Sequence, residues 1–382
     1  MDPSELTERL ALGEDSRHQF KADVKNDTAL AAEMMAFANS GGGHLFIGVD
    51  DNGGVVGLTP EKIRRLNQLV ANAASQKIRP PLNPVTENMR LEGGVVMVVT
   101  IADSIAKPHT DLQGAIWVRN GADKRRVTAR EEMQRLFQTA SLVHADVVPV
   151  AGSTLNDLDV KLFHAYYHRR YGEEEGCLEL PPERLLENLN LARDGSLNLA
   201  GLLLFGQDPQ RWRPQFLIKG MTYPGREIDL DTYMDCQDLY GAFPELFRQA
   251  MAFMLRNLRH IQRDQGINSK GLPEIPRIVL EEIVVNALVH RDYFVSAPIR
   301  IFIFSDRVEI ISPGHLPNNL RVDHIRHGIT NLRNPVLASH ASHLLPYQGI
   351  GTGIMRALRA HPAMTFDDDR DGNQFKVCLQ RP

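Results

Sequence analysis

The sequence predicts an α+β protein of more than one domain, and three observations carry that reading. An alanine-rich helical run ends at Gly41-Gly42-Gly43 and passes into the β-rich segment His44-Leu-Phe-Ile-Gly-Val49. Far along the chain, a helical run through Glu282 and His290 gives way to Ile299–Phe304 and Val308–Ile311. These are two β-branched runs around Ser305-Asp306-Arg307, the pattern of a hairpin. The 382 residues, 43% of them hydrophobic, are enough for two or three domains with sizeable cores.

Taken in order, Asp27 is placed to cap a helix from Thr28 to about Asn39, with Ala32, Met35, Ala36 and Ala38 as its apolar face. The strand His44–Val49, the turn Asp50-Asp-Asn-Gly-Gly54 and the short run Val55–Leu58 read as a hairpin. Thr59-Pro60 opens a second helix. Strands at Pro84–Met89 and Val95–Ile101 flank Glu92-Gly93-Gly94, and Ala115–Val118 is a further strand. Thr128-Ala-Arg-Glu131 has the form of a capping box for a closing helix. These elements make a first domain over 1–140.

Residues 140–156 read as a linker or crossover into a middle segment, 141–265, expected to pack with the C-terminal part. It holds an amphipathic helix, Leu158–Tyr171, in which the spacing of Phe163, Tyr166 and Tyr167 favours core packing over stacking on bases. A helix at Pro182–Asn188, an apolar run at Leu199–Phe205 ended by Gly206, a strand at Gln215–Met221 and a long helix at Phe243–His260 follow. The last domain, 266–382, holds the Glu282 helix and the hairpin, and closes on a strand in Gln374–Pro382.

The net charge of −4 provides no global field toward nucleic acid, so any such contact must use a local basic patch. Cys177, Cys236 and Cys378 are far apart and form no C-x-x-C, which suits a reducing, cytoplasmic setting. The polar, acidic start is unlike a signal peptide, and no apolar run is long enough for a bilayer span, so no membrane partner is expected. His18, His44 and His109 are isolated and read as surface or cap residues.

The strongest chemical signal is Glu282 and Asn286, four residues apart on one helix face, followed by Gly349-Ile-Gly351-Thr-Gly353. On its own, E-x-x-x-N also fits an ordinary solvated helix face. With the glycine-rich turn, whose free N–H groups can meet phosphates, it reads as a magnesium-nucleotide pocket. The order of helix, hairpin, proline-glycine loop and glycine turn resembles the GHKL ATPases, the family of gyrase and the histidine kinases. The segments "VVNALVHRDY", "DRVEIISPGHLP", "RNPVLA" and "GIGTGI" are similar to the C-terminal half of RecG-related transcriptional regulators. "LNLAGLLLFGQDPQRWRP" also resembles that group.

This likeness implies a GHKL-like α/β sandwich binding ATP and Mg²⁺, with Glu282 as general base and Asn286 as metal ligand. Ser312 and Gly314 would lie by the base, and Gly349, Gly351 and Gly353 over the phosphates. Where GHKL proteins place an adenine-reading Asp, this chain has Ser312, which lacks the charge. ATP hydrolysis should therefore be weak at most. The likeness also implies homo-oligomers. Relatives that continue into a winged helix would bind DNA there; this chain is expected to bind through its N-terminal domain.

"GEDSRHQFKADV", "AFANSGGGHLFIGVDDNGGVVGL" and "IWVRNGADKRRVTA" resemble the AlbA-like domain shared with Schlafen proteins. That implies nucleic-acid binding, to DNA rather than RNA, and the cationic residues Lys21, Arg119, Lys124, Arg125 and Arg126 are the candidate phosphate contacts. Arg119 and Lys124–Arg126 are expected on a strand end and loop. In Schlafen relatives the domain also implies RNA cleavage by three carboxylates. Here Glu14 and Asp50 (or Asp51) are candidate remnants, but Gln19 stands where a second carboxylate would be, and Gln is a poor ligand for a hard cation.

The reading is thus an ATP-responsive nucleic-acid-binding transcriptional regulator. The alternatives are a Schlafen-type nuclease serving phage defence or stress, and an assembly protein with a vestigial ATPase fold. A RecG-type helicase is not expected, because the sequence has no G-x-x-x-x-G-K-[ST].

Overall fold

The computed structural model describes residues 2–140, 142–172, 180–262, 271–317, 320–349 and 351–382, the side chains of Glu131 and Thr139 aside. Cys177 lies outside the described residues. The fold is α+β, in two compact units, Met1–Val143 and His144–Pro382.

The first unit begins with α1 (Pro3–Ala11), which Asp2 caps in a reciprocal box with Glu5. Then come β1 (His18–Lys21), α2 (Asp27–Asn39), β2 (Gly43–Ile47), α3 (Pro60–Gln76), β3 (Val85–Leu91) and β4 (Gly94–Ile101). Asn26, not Asp27, caps α2; its Oδ1 accepts from the Thr28 and Ala29 N–H groups. All of Leu30–Asn39 is buried, so α2 has no solvated stripe. Its small side chains let the strand pair β5 (Trp117–Asn120) and β6 (Asp123–Arg126) lie along it. The helix α4 (Arg130–Thr139) closes the unit. Its N-cap is Ala129, with no side-chain cap bond, and the Glu131 side chain of the expected capping box lies outside the described residues.

The sheet order is β1-β2-β4-β3, with β1 and β2 parallel and the rest antiparallel. The expected hairpin of His44–Val49 with Val55–Leu58 is replaced by a single bridge, Val49 to Val55. The Val56 and Gly57 N–H groups both donate to the Gly48 carbonyl, and Leu58 N–H donates to Val95. The chain therefore swings away toward α3, and β2 takes β1 and β4 as partners. His109, expected as a surface or cap residue, is buried. Its ring bridges the Pro80 carbonyl at 2.7 Å and Ser104 Oγ at 2.6 Å. His18 is also buried; its Nδ1 lies 2.8 Å from Asp15, and its ring stacks on His44.

The second unit has one large core and a smaller cluster of Tyr223, Phe302, Phe304 and Ile311. Its elements are α5 (Val160–Tyr171), α6 (Pro182–Asn188), the small ribbon β7 (Ala192–Arg193) with β8 (Ser196–Leu197), α7 (Leu199–Phe205), α8 (Pro209–Trp212), β9 (Ile218–Thr222), β10 (Asp235–Leu239) and α9 (Phe243–Asn257). The ribbon β11 (His260–Ile261) with β12 (Leu272–Pro273) follows, then α10 (Arg277–His290), β13 (Ile299–Ile303), β14 (Arg307–Pro313), α11 (Val322–Arg326), α12 (Pro335–Ala341), α13 (Thr352–Ala360), β15 (Met364–Asp369) and β16 (Gln374–Gln380).

Six strands run in the order β10-β9-β13-β14-β16-β15, with only the β9–β13 pair parallel. Phe163 and Tyr166 are core residues, as helical spacing predicts. Within the expected linker, whose Ser141 lies outside the described residues, Asp146 is fully buried. Its Oδ2 accepts from the Val336 and Leu337 N–H groups, capping α12 from far along the chain.

His340 on α12 is buried with Nδ1 facing two donors, Tyr166 Oη and Arg170 Nη1, while its Nε2 lies 3.1 Å from the Leu189 carbonyl. Burial, then Arg170, holds its pKa down at about 4, against the ordinary 6.5. The unfolded chain thus takes up a proton near pH 6.5 and the folded chain only near pH 4. Stability is full above that window and lost as pH falls through it, by up to about 3 kcal/mol. Denaturant unfolding of wild type and His340→Gln between pH 7 and 4 should show a shallower loss in the variant; equal slopes would refute the assignment.

Candidate functional site

The helix α10 is rich in Val and Ile, residues that ordinarily favour strands. Tertiary burial overrides that preference: Val279, Leu280 and Ile283 through Val285 are all in the core, with α9, α12, α13 and β14 around them. Glu282 and Asn286 fall one turn apart and line the same cavity. Glu282 is only 3% exposed, so it is not part of a solvated face. Asn286 Nδ2 donates to the Glu282 carbonyl at 2.6 Å, which leaves its Oδ1 as an acceptor.

The cavity measures about 120 Å³ and is floored by Ile310 and Ser312 of β14 and by Phe375 and Val377 of β16. Gly314, Gly349, Gly351 and Gly353 border it, so every residue expected at the nucleotide site reaches one cavity. Ser312 is buried, and its Oγ donates to the Ala287 carbonyl at a long 3.4 Å. Gly351 is the N-cap of α13 at φ +77° and makes no side-chain cap bond; a side chain there would strike the Gly328 carbonyl. The first N–H groups of α13 therefore lack a side-chain cap on the cavity side.

Four functional candidates escaped the sequence reading. Arg356 on α13 bonds Glu282, and a Cβ at Gly353 would collide with the same carboxylate. Burial raises the Glu282 pKa, and the Arg356 charge opposes that rise. His290 Nε2 lies 3.2 Å from the Tyr347 hydroxyl, and burial, then Arg333, lowers its pKa to about 4, so it lines the cavity as a neutral ring. Burial pushes Tyr347 up to about 12. Arg333 donates to the His315 carbonyl at 2.8 Å, and burial lowers its pKa. Of these, Arg333 and His290 sit inside motifs legible in the sequence. Arg356 has no local signal, because its partner lies 74 residues away.

The N-terminal cations do not form a single patch. Arg119, Lys124, Arg125 and Arg126 lie on the β5–β6 hairpin rather than on a strand end and loop, because Asn120 and Asp123 pair around a tight turn and the basic run continues as strand. Strand alternation sends Lys124 and Arg126 to one side and Arg125 to the other. The Arg119 side chain is 2% exposed: it donates to Gln19 Oε1 at 3.1 Å and to the Asp15 carbonyl at 3.1 Å, and stands over the Phe37 ring. Lys124 pairs with Glu33, and Arg125 pairs on the surface with Glu132. Arg126 is exposed, and Lys21, half-buried, ends β1.

Glu14 and Asp50, the candidate nuclease carboxylates, are committed to backbone. Glu14 accepts from Phe20 N–H at 2.7 Å, and Asp50 accepts from Asn52 and Gly54 N–H at 2.9 and 2.8 Å. Among the described residues, no group of three or more His, Cys, Asp or Glu is placed to hold a metal, and no helix is long and apolar enough to cross a membrane.

Comparison with known proteins finds three matching segments. Residues 14–128 match the model "Schlafen, AlbA_2". Residues 296–379 match "Putative ATP-dependent DNA helicase recG C-terminal", and residues 134–218 match a domain of unknown function, DUF8451. No curated protein matches. Among solved structures, the DIP2311 protein from Corynebacterium diphtheriae is 21% identical at a TM-score of 0.48, over 96% of this chain. This chain spans 65% of that protein's length. The N-terminal domain of a "Putative ATP-dependent DNA Helicase RecG-related Protein" from Nitrosomonas europaea is 25% identical, at a TM-score of 0.25, over 34% of this chain and 95% of that one. The chain therefore carries an AlbA_2-type Schlafen domain and a RecG-like C-terminal domain of the ATPase type.

Proposed function

We propose that the protein is a nucleotide-responsive nucleic-acid-binding regulator, in which the C-terminal cavity takes ATP with Mg²⁺ and the N-terminal unit contacts DNA. The observation that carries the first half is the convergence of Glu282, Asn286, Ser312 and four glycines on one cavity. The donor set fits a magnesium ion held chiefly by phosphates: one amide oxygen, Asn286 Oδ1, is the protein's contribution, and such an ion ordinarily keeps most of its waters. Bound there, the ion would neutralise phosphate charge. Ser312 offers a hydroxyl where a carboxylate would mark adenine, so affinity should be modest and ATP and GTP poorly distinguished. Loaded copies would pair, making oligomeric state the output. Calorimetric titration of the full chain with both nucleotides and Mg²⁺ tests the reading; no binding at millimolar concentration would leave the ATPase fold as scaffold.

For the nucleic-acid half, Arg125 and Arg126 are the exposed cations of the β5–β6 hairpin. The Arg125–Glu132 pair is exposed and holds Arg125 only weakly, whereas Arg119 is locked inside the unit. Changing both Arg125 and Arg126 to Ala should weaken DNA binding alike for all sequences, and reduce the salt slope by about 2. Arg119→Ala should instead lower the unfolding temperature. Unchanged affinity of the double variant at low salt would exclude the hairpin as the contact.

A further inference from the structure

We propose that Arg356 reads the terminal phosphate of a nucleoside triphosphate, and that Glu282 occupies its place in the free chain. The inference rests on the nucleotide reading of the cavity and names which feature of the nucleotide the cavity distinguishes.

Both side chains line the cavity. The Glu282 carboxylate is 4% exposed and bonds Arg356 through one oxygen, Oε1. Its other oxygen, Oε2, packs so closely on Gly353 that no side chain fits there. The carboxylate thus lies between a guanidinium and the first turn of α13, where the N-cap supplies no acceptor of its own. Arg356 is 39% exposed, yet its Nε is buried and has no hydrogen-bond partner, so one oxygen of Glu282 leaves the guanidinium incompletely used. The free chain therefore holds an internal anion, the Glu282 carboxylate, against the guanidinium at the cavity.

A terminal phosphate offers three oxygens and more charge, and its geometry matches the guanidinium fork. It competes with Glu282 for Arg356, whereas a diphosphate lacks the competing group. Exchange releases Glu282 from its cation only when a triphosphate is present.

Calorimetry on the full chain with ATP and with ADP, both with Mg²⁺, tests this on wild type, Arg356→Met, Arg356→Lys, Glu282→Gln and Arg359→Ala. Wild type should bind ATP about 10- to 100-fold tighter than ADP, the span of one charge-assisted contact. Arg356→Met should bind ADP as wild type does and lose the preference for ATP, and Arg356→Lys should keep part of it. Glu282→Gln, which frees Arg356, should tighten ATP and leave ADP unchanged. The exposed Arg359→Ala should match wild type. A preference that survives in Arg356→Met, or a loss shared equally by ATP and ADP in a variant with a wild-type unfolding temperature, would overturn the assignment of Arg356. Failure of wild type to bind either nucleotide would overturn the nucleotide reading itself.

Discussion

Asn286→Ala is expected to abolish magnesium-dependent nucleotide binding. The Asn286 Nδ2 donates to the Glu282 carbonyl, so the side chain is fixed with its oxygen left as acceptor. Removing even an outer partner of a metal site costs about 10- to 100-fold in affinity, and removing the one protein ligand should cost at least that. The fold should survive. The bond lost lies within one helix, worth about 1 kcal/mol, and alanine is the better helix former. Asn286→Asp keeps an oxygen in place and should retain binding. Titrations of the three proteins with ATP, with Mg²⁺ and then with excess chelator, decide the matter: wild type and Asn286→Ala should converge once the metal is removed. If Asn286→Ala binds Mg-ATP like wild type, the residue is not the ligand.

Much of the α+β architecture was legible because local chemistry and tertiary context agree. Pro182–Asn188 and the β13–β14 hairpin stand where pattern placed them, since cap, turn and hydrophobic period point one way. The places that differ are those where a distant partner decides. Val55–Leu58 has strand composition, but β4 and β1 fill both edges of β2, so those residues make only one bridge. Asp146 looks like a linker residue until Val336 and Leu337, nearly two hundred positions on, supply its hydrogen bonds.

The same division runs through the two candidate sites. Glu282, Asn286 and the glycines were visible because helical spacing and glycine clustering are local signals. Arg356 was invisible because its significance lies in a contact between α10 and α13. Arg119 shows the converse error: a charge in a basic run reads as a surface contact, while Glu33, Gln19 and Phe37 make it an internal strut.

Glu282→Ala should separate binding from turnover. If Glu282 orients the attacking water and accepts its proton, its removal should lower whatever hydrolysis wild type shows by about 10²-fold or more. Binding should not weaken, because the carboxylate is an anion beside the phosphate site and its loss leaves Arg356 free. Two opposing effects set how good a base Glu282 is. Enclosure raises its proton affinity, and the Arg356 contact lowers it. In the free chain the pair is closed, so a rate rising with pH should report Glu282 only in the nucleotide-loaded protein. Breaking the pair by Arg356→Met should raise the Glu282 proton affinity in the free chain, since the opposing charge is gone while burial remains. Phosphate release by Glu282→Ala at the wild-type rate would show that water is activated elsewhere. Loss of ATP binding in a folded Glu282→Ala protein would show that the carboxylate holds the nucleotide rather than the water.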